Sequence, residues 1–191
     1  MSETEITVQV FNDYNEIDEI LKRKGFEMVE NYQLNDWYFS KFDNVLNLSY
    51  IDLMNNSFLV RHIIDECPKI QLSYKKKELD KFGNVLLEEK VKSDLTKLEN
   101  TIKIFDLAGL NNYCKVENNS FVYKNGNIGF VVQIIKNLGI FIEYEEDESM
   151  KDLSPDQKFR YMVNITKKLG LKLGNDFSCK KVFMLLHKKI N

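Results

Sequence analysis

The chain has 191 residues, 43% hydrophobic and 29% charged, with a formal net charge of -2. That balance gives no global attraction to nucleic acid or to an anionic membrane, so any anion site has to be local. The opening "MSETEITVQV" has neither a basic start nor an apolar leader core, and no stretch approaches the roughly 18 apolar residues of a membrane span. One domain over 1–191 is expected, in the cytoplasm, with no nucleic-acid or membrane partner. Cys67, Cys114 and Cys179 are odd in number and lack metal-ligand spacing, and His62 and His187 have no nucleophile beside them. A zinc site and a Ser/His or Cys/His hydrolase are both disfavoured.

In chain order the pattern predicts a strand near 4–11, a helix near 14–24 stopped by Gly25, and strand structure across 27–42. A short helix near 49–55 leads into strands near 58–65, 69–77 and 84–92. Leu95, Leu98, Ile102 and Phe105 fall at helical spacing, which predicts a helix over 94–108 with Gly109 as its stop. Strands near 113–124, 127–136 and 139–146 follow, the first two joined at "KNGN" by a tight turn for which Asn-Gly suggests type I′. The last clear helix opens at "SPDQ", with Ser154 as N-cap, Pro155 at the first helical position and Gln157 closing a capping box, and ends near Gly170. Many hairpin strands with a few helices between them make the chain α+β, with a large antiparallel sheet or a barrel.

Alternation splits each strand into two faces. Glu5, Thr7 and Gln9 oppose Ile6, Val8 and Val10. Gln71, Ser73, Lys75 and Lys77 oppose Ile70, Leu72 and Tyr74. Glu88, Lys90 and Lys92 oppose Val85, Leu87 and Val91; Lys115 and Glu117 have Cys114 and Val116 behind them; Glu143 and Glu145 close the series. Two readings fit. Either these faces are solvated while the apolar faces pack on helices, or they line a common channel for a polyanion and its metal, where cationic donors grip phosphate and carboxylates hold Mg²⁺. Alternation does not choose between them. The aromatic run "NYQLNDWYFSKF" raises a third possibility, a docking module, although Trp37, Tyr38 and Phe39 are better placed as partly core.

The order of the segments favours the channel. "NLGIFIEYEED" resembles the "LG-x-F-x-E-x-E" strand of the CYTH superfamily, the triphosphate tunnel metalloenzymes that include class IV adenylyl cyclases and thiamine triphosphatases. "EITVQV" sits where that family has an E-x-E-x-K strand, "FLVRHI" resembles its "L-R-x-R" strand, and "LSYKKK" its "L-T-x-K". "LAGLNNYCKVE" is similar to the "lGF…v-x-K-x-R" segment, and "LGLKLGNDFSCKKVFMLLHKK" to the closing segment of the cyclase-like branch. The resemblance spans nearly the whole chain and implies an antiparallel eight-stranded β-barrel, a tunnel with flanking helices.

Carried over by position, the resemblance makes Glu143, Glu145 and Glu5 metal-holding carboxylates. It makes Arg61, Lys75 and Lys115 the grip on a triphosphate, and it places Glu88 and Lys90 along the lining. Four positions depart from the pattern: Thr7 stands for a Glu, Gln9 for a Lys, Glu117 for an Arg, and Gln133 for an Asp that often takes part in catalysis. The resemblance implies Mg²⁺ or Mn²⁺ and a small phosphorylated ligand, a triphosphate, nucleotide or polyphosphate, which is hydrolysed or cyclised. The alternative is a catalytically degenerate relative that binds a nucleotide, polyphosphate or other anion without turnover, as the four departures suggest. No residue is assigned a catalytic role.

Overall fold

The computed structural model describes residues 5–79 and 85–188, with backbone alone described at 77–79 and 85–88. Its elements, in chain order, are β1 (Glu5–Val10), α1 (Tyr14–Arg23), β2 (Glu27–Ser40), α2 (Tyr50–Asn55), β3 (Phe58–Ile64), β4 (Lys69–Leu79) and β5 (Val85–Leu95). They continue with α3 (Leu98–Leu107), β6 (Asn111–Asn125), β7 (Ile128–Ile135), β8 (Gly139–Glu145), α4 (Pro155–Lys167) and α5 (Lys181–Lys188). The strands make one eight-stranded antiparallel sheet in the order β1-β8-β7-β6-β2-β3-β4-β5, so the expected α+β class and strand number hold. The expected closed barrel is corrected in one respect: the hydrogen-bonded order has two ends, β1 and β5, rather than returning on itself. Contacts divide the described chain into two compact units, one of residues 33–117 with 182–188, the other of residues 5–32 with 118–181.

In the second unit, Ile6, Val8 and Val10 of β1 face a core with Ile17 and Leu21 of α1, Phe130 and Val132 of β7, Ile142 and Tyr144 of β8, and Met162 of α4. The spacing of Ile17 and Leu21 is that of one helix face, and Asp13 starts the helix by accepting from the Glu16 backbone N–H at 2.9 Å. The outer edge of β1 is not left open. Thr7 N–H donates to Phe177 O at 3.0 Å, Cys179 N–H to Thr7 O at 3.0 Å, and Gly174 N–H to Gln9 O at 2.8 Å, so the chain after α4 is pinned along β1.

The capping box at α4 forms as its sequence predicts: Gln157 N–H donates to Ser154 Oγ at 3.4 Å, and Ser154 N–H to Gln157 Oε1 at 2.9 Å. Ser154→Ala is expected to cost about 1 kcal/mol, lowering Tm in a thermal melt by roughly 2–4 °C. The β6–β7 turn differs from the type I′ expectation. Asn125 and Ile128 are paired, so Gly126 and Asn127 are the two loop residues, and of these only Gly126, at φ 58, takes a positive φ. Glycine at the first loop position is the type II′ pattern, with Asn125 still in the ladder.

In the first unit, Phe39, Val60 and Phe105 form a core with Trp37, Phe58, Ile70, Leu72, Leu98 and Ile102 around it. The Phe39 and Phe105 rings meet edge to face at 5.0 Å, fixing α3 against β2. The helix expected from 94 begins at Leu98, because Leu95 pairs with Ile70 and extends β5 beyond the expected 92. Leu95 satisfied the helical spacing and the strand pattern alike, and the ladder won. Tyr38 and Phe39 are buried and Trp37 half-buried, so the aromatic run is largely core rather than a free docking face.

Candidate functional site

Strand pairing first decides which side chains share a face. In the second unit Thr7 lies opposite Glu143, and Glu5 opposite Glu145. Glu143 also lies opposite Val131, and Gln133 opposite Phe141, one step along the same face. Glu143 is therefore flanked by two of the four residues that depart from the family pattern. Its side chain is only 14% exposed.

The Glu143 carboxylate is enclosed by donors. Thr7 Oγ1 donates to its Oε1 at 3.2 Å, Lys181 Nζ donates to Oε1 at 2.8 Å, and Gln133 Nε2 donates to Oε2. Lys181 Nζ also donates to Gln133 Oε1 at 2.6 Å. This last contact fixes the Gln133 amide, since an ammonium has only hydrogens to offer and must meet the oxygen, which turns the amide nitrogen toward Glu143. Thr7 and Gln133 are nearly inaccessible, at 5% and 4%. The polar atoms here satisfy one another, as burial requires.

A hard divalent cation is held by several oxygen ligands, and carboxylates supply most of the charge that keeps it. Glu143 is met instead by a hydroxyl, an amide N–H and the Lys181 ammonium, and that ammonium finds its acceptors in Glu143 Oε1 and Gln133 Oε1. Glu5 and Glu145 are exposed cross-strand neighbours two residues further along. Among the described residues, no group of three or more His, Cys, Asp and Glu is placed to hold a metal ion. Gln9 is half-buried opposite Phe141, with its backbone tied to Gly174.

In the first unit, Arg61 is opposite both Asp36 and Gln71, and Gln71 is opposite Asp94. Arg61 meets Asp36 through two parallel bonds, Nε to Oδ1 at 2.8 Å and Nη2 to Oδ2 at 2.7 Å, and Asp36 is only 5% exposed. Such a bidentate pair fixes the guanidinium in place. Next to it, burial above all holds the Tyr38 phenol well above its ordinary range; Asp36 adds to this and Arg61 partly opposes it. Tyr38 is thus a neutral hydroxyl throughout the physiological range.

Further along that face, β4 and β5 bring lysines together. Lys75 is directly opposite Lys90, and Lys92 is opposite Ser73, the next position on the same face. Glu88 is opposite Lys77, but its side chain lies outside the described residues. Lys115 departs from its expected position beside Arg61 and Lys75. Its Nζ stands 5.2 Å from the centroid of the Trp37 ring and 2.5 Å from Glu117 Oε1. Trp37 pairs with Val60 on the apolar side under α3, whereas its neighbour Asp36 points with Arg61. The buried residues of this stretch are Cys114 and Val116, so the expected polar face of β6 is the one turned away. A cation over an aromatic ring and an acid two residues along accounts for Lys115 and Glu117 together.

No family model matches the sequence. A proposed adenylate cyclase of Methanocaldococcus jannaschii is 27% identical over 176 residues, covering 92% of this chain and 93% of its own. Among solved structures, protein PH1012 from Pyrococcus horikoshii matches 97% of this chain and 99% of its own, at TM-score 0.69 and 20% identity. A proposed adenylyl cyclase from Hippeastrum, HpAC1, whose structure is reported with a dominant triphosphatase activity, matches 98% and 96%, at TM-score 0.62 and 14% identity. The chain therefore shares the fold of these solved structures and is similar in sequence to the adenylate cyclase relative over most of its length.

Two residues that matter to the site were not singled out from sequence. Lys181 lies 38 positions after Glu143, in a tail whose lysines all look alike, and only the pinning of 177–179 to β1 selects it. Asp36 was legible in principle: alternation puts it on the face of Leu34 and Tyr38, and an acid on a buried face requires a partner such as Arg61.

Proposed function

We propose that this chain binds the triphosphate moiety of a nucleotide, or an inorganic polyphosphate, on the lysine face of β4 and β5. The observation that carries this is the cross-strand pair Lys75 and Lys90, with Lys92 next on the same face. Like charges directly opposite one another are unfavourable in a sheet, and a polyanion laid across them turns that repulsion into attraction. Arg61, locked by Asp36, adds a fixed positive charge on the same face. The likeness to a proposed adenylate cyclase, and to a chain reported with triphosphatase activity, supports a nucleotide or polyphosphate as the ligand class.

Binding without metal-dependent turnover is the form of this reading that the geometry favours. The family resemblance would route hydrolysis or cyclisation through Mg²⁺ or Mn²⁺ at Glu143, Glu145 and Glu5, and the Glu143 setting does not suit such an ion. Calorimetric titration of the full chain is expected to show tripolyphosphate and ATP binding with Kd on the order of 10 μM, weakening with salt, and no heat with orthophosphate. Assays for phosphate release and for cyclic AMP are expected to show no product that depends on Mg²⁺ or Mn²⁺. Absence of heat with both tripolyphosphate and ATP would rule the binding reading out, and a metal-dependent product would restore the catalytic one.

A further inference from the structure

We propose that the Lys181 ammonium is the resident cation of the Glu143 site, a positive charge built into the chain where the CYTH resemblance would place Mg²⁺ or Mn²⁺, so that Glu143 takes no divalent ion. The proposal concerns this site alone and does not depend on which anion, if any, the lysine face of β4 and β5 binds.

Three observations converge. Two of the four substitutions that set this chain apart from the family pattern meet at one residue: Thr7 and Gln133, each standing for a carboxylate, both donate to Glu143. Two charges that would have repelled Glu143 are thereby replaced by two groups that stabilise it. With those carboxylates gone, a single positive charge is enough to balance the site, and Lys181 supplies it from 2.8 Å.

The placement of Lys181 is also over-determined. Thr7 uses its backbone N–H and C=O to grip Phe177 and Cys179, and its hydroxyl to reach Glu143. One residue of β1 therefore sets both the acceptor and the chain segment that ends two residues before the ammonium. Finally, Gln133 bridges the pair, accepting from Lys181 and donating to Glu143. Lys181 closes that ring and remains 22% exposed. Its ammonium has a third hydrogen beyond the two it gives to Glu143 and Gln133, and no protein acceptor for it is found among the described residues.

The test uses Mn²⁺ alone, titrated into the full chain and followed by the electron paramagnetic resonance signal of the free ion, with no phosphate present. The wild type and Glu143→Gln are expected to give superimposable titrations. Lys181→Ala is expected to gain a Mn²⁺ site at least tenfold tighter than any in the wild type, and Lys181→Ala with Glu143→Gln to lose it again. If Lys181→Ala does not fold, Lys181→Gln, which keeps a donor but not the charge, carries the same comparison. A wild-type Mn²⁺ site that Glu143→Gln removes overturns the proposal. A folded Lys181 variant that titrates like the wild type overturns it as well. Because the probe contains no phosphate, neither result bears on triphosphate binding.

Discussion

Lys90→Glu is expected to weaken tripolyphosphate binding by roughly 30- to 100-fold while leaving the ligand-free protein as stable as before or slightly more so. The substitution changes the facing charge by two units. Each unit, at about 6 Å from a phosphate oxygen on a partly wet face, is worth on the order of 1 kcal/mol. In the ligand-free protein the same change turns the Lys75–Lys90 opposition into an opposite-charge pair, worth at most about half a kcal/mol once solvent screening is allowed for. The two effects have opposite sign, and that separates an anion site from an ordinary solvated strand. Calorimetry with tripolyphosphate gives the first number and a thermal melt without ligand the second. A loss of affinity that merely follows a loss of stability would mean that Lys90 acts through folding, and unchanged affinity would place the anion elsewhere.

How much of this could be read from the sequence differs between the fold and the site, for a physical reason. Strands such as Glu5–Val10 and Gly139–Glu145 carry a period of two that any register preserves, and the cap at Ser154 is a local hydrogen-bond pattern, so these were legible from the residues themselves. Leu95 was not, since one residue can satisfy two periods and only the pairing with Ile70 decides. The faces of β6 show the same limit. Alternation correctly separates Lys115 and Glu117 from Cys114 and Val116, but it does not say which set is turned toward Arg61. Trp37 supplies the answer by taking Lys115 onto its ring.

The Glu143 site exposes a deeper gap. Thr7 and Gln133 looked like losses when set against a family pattern, because a pattern compares each position with its own column. The structure shows them acting on a common partner. What was legible was that the charges had changed; that Lys181 completes the change depends on a contact between residues 38 apart, made possible by backbone pairing at Thr7. The cross-strand pairing of Glu5 with Glu145, by contrast, follows directly from the register that puts Thr7 on Glu143.

That division of roles predicts an asymmetric response to mutation. Lys181→Met is expected to cost about 2–3 kcal/mol, a fall in Tm of roughly 5–10 °C, because it removes the Lys181 charge from the Glu143 carboxylate, which is 14% exposed. Glu143 cannot escape, since its backbone lies within β8 between β1 and β7. Glu143→Gln is expected to cost only about 1 kcal/mol, because Lys181, 22% exposed at the start of α5, can swing its ammonium into water on a long flexible stem. The double variant should then sit near Glu143→Gln alone, giving a coupling of roughly 2 kcal/mol in the cycle. Urea unfolding of the four proteins measures it directly. Equal costs for the two single variants, with no coupling, would mean that Lys181 contributes through the packing of its stem and that the charge of Glu143 is balanced by solvent. A large coupling shows that Glu143 depends on this one ammonium, and it follows that the stability of the second unit is tied to the charge state of a site from which two family carboxylates are missing.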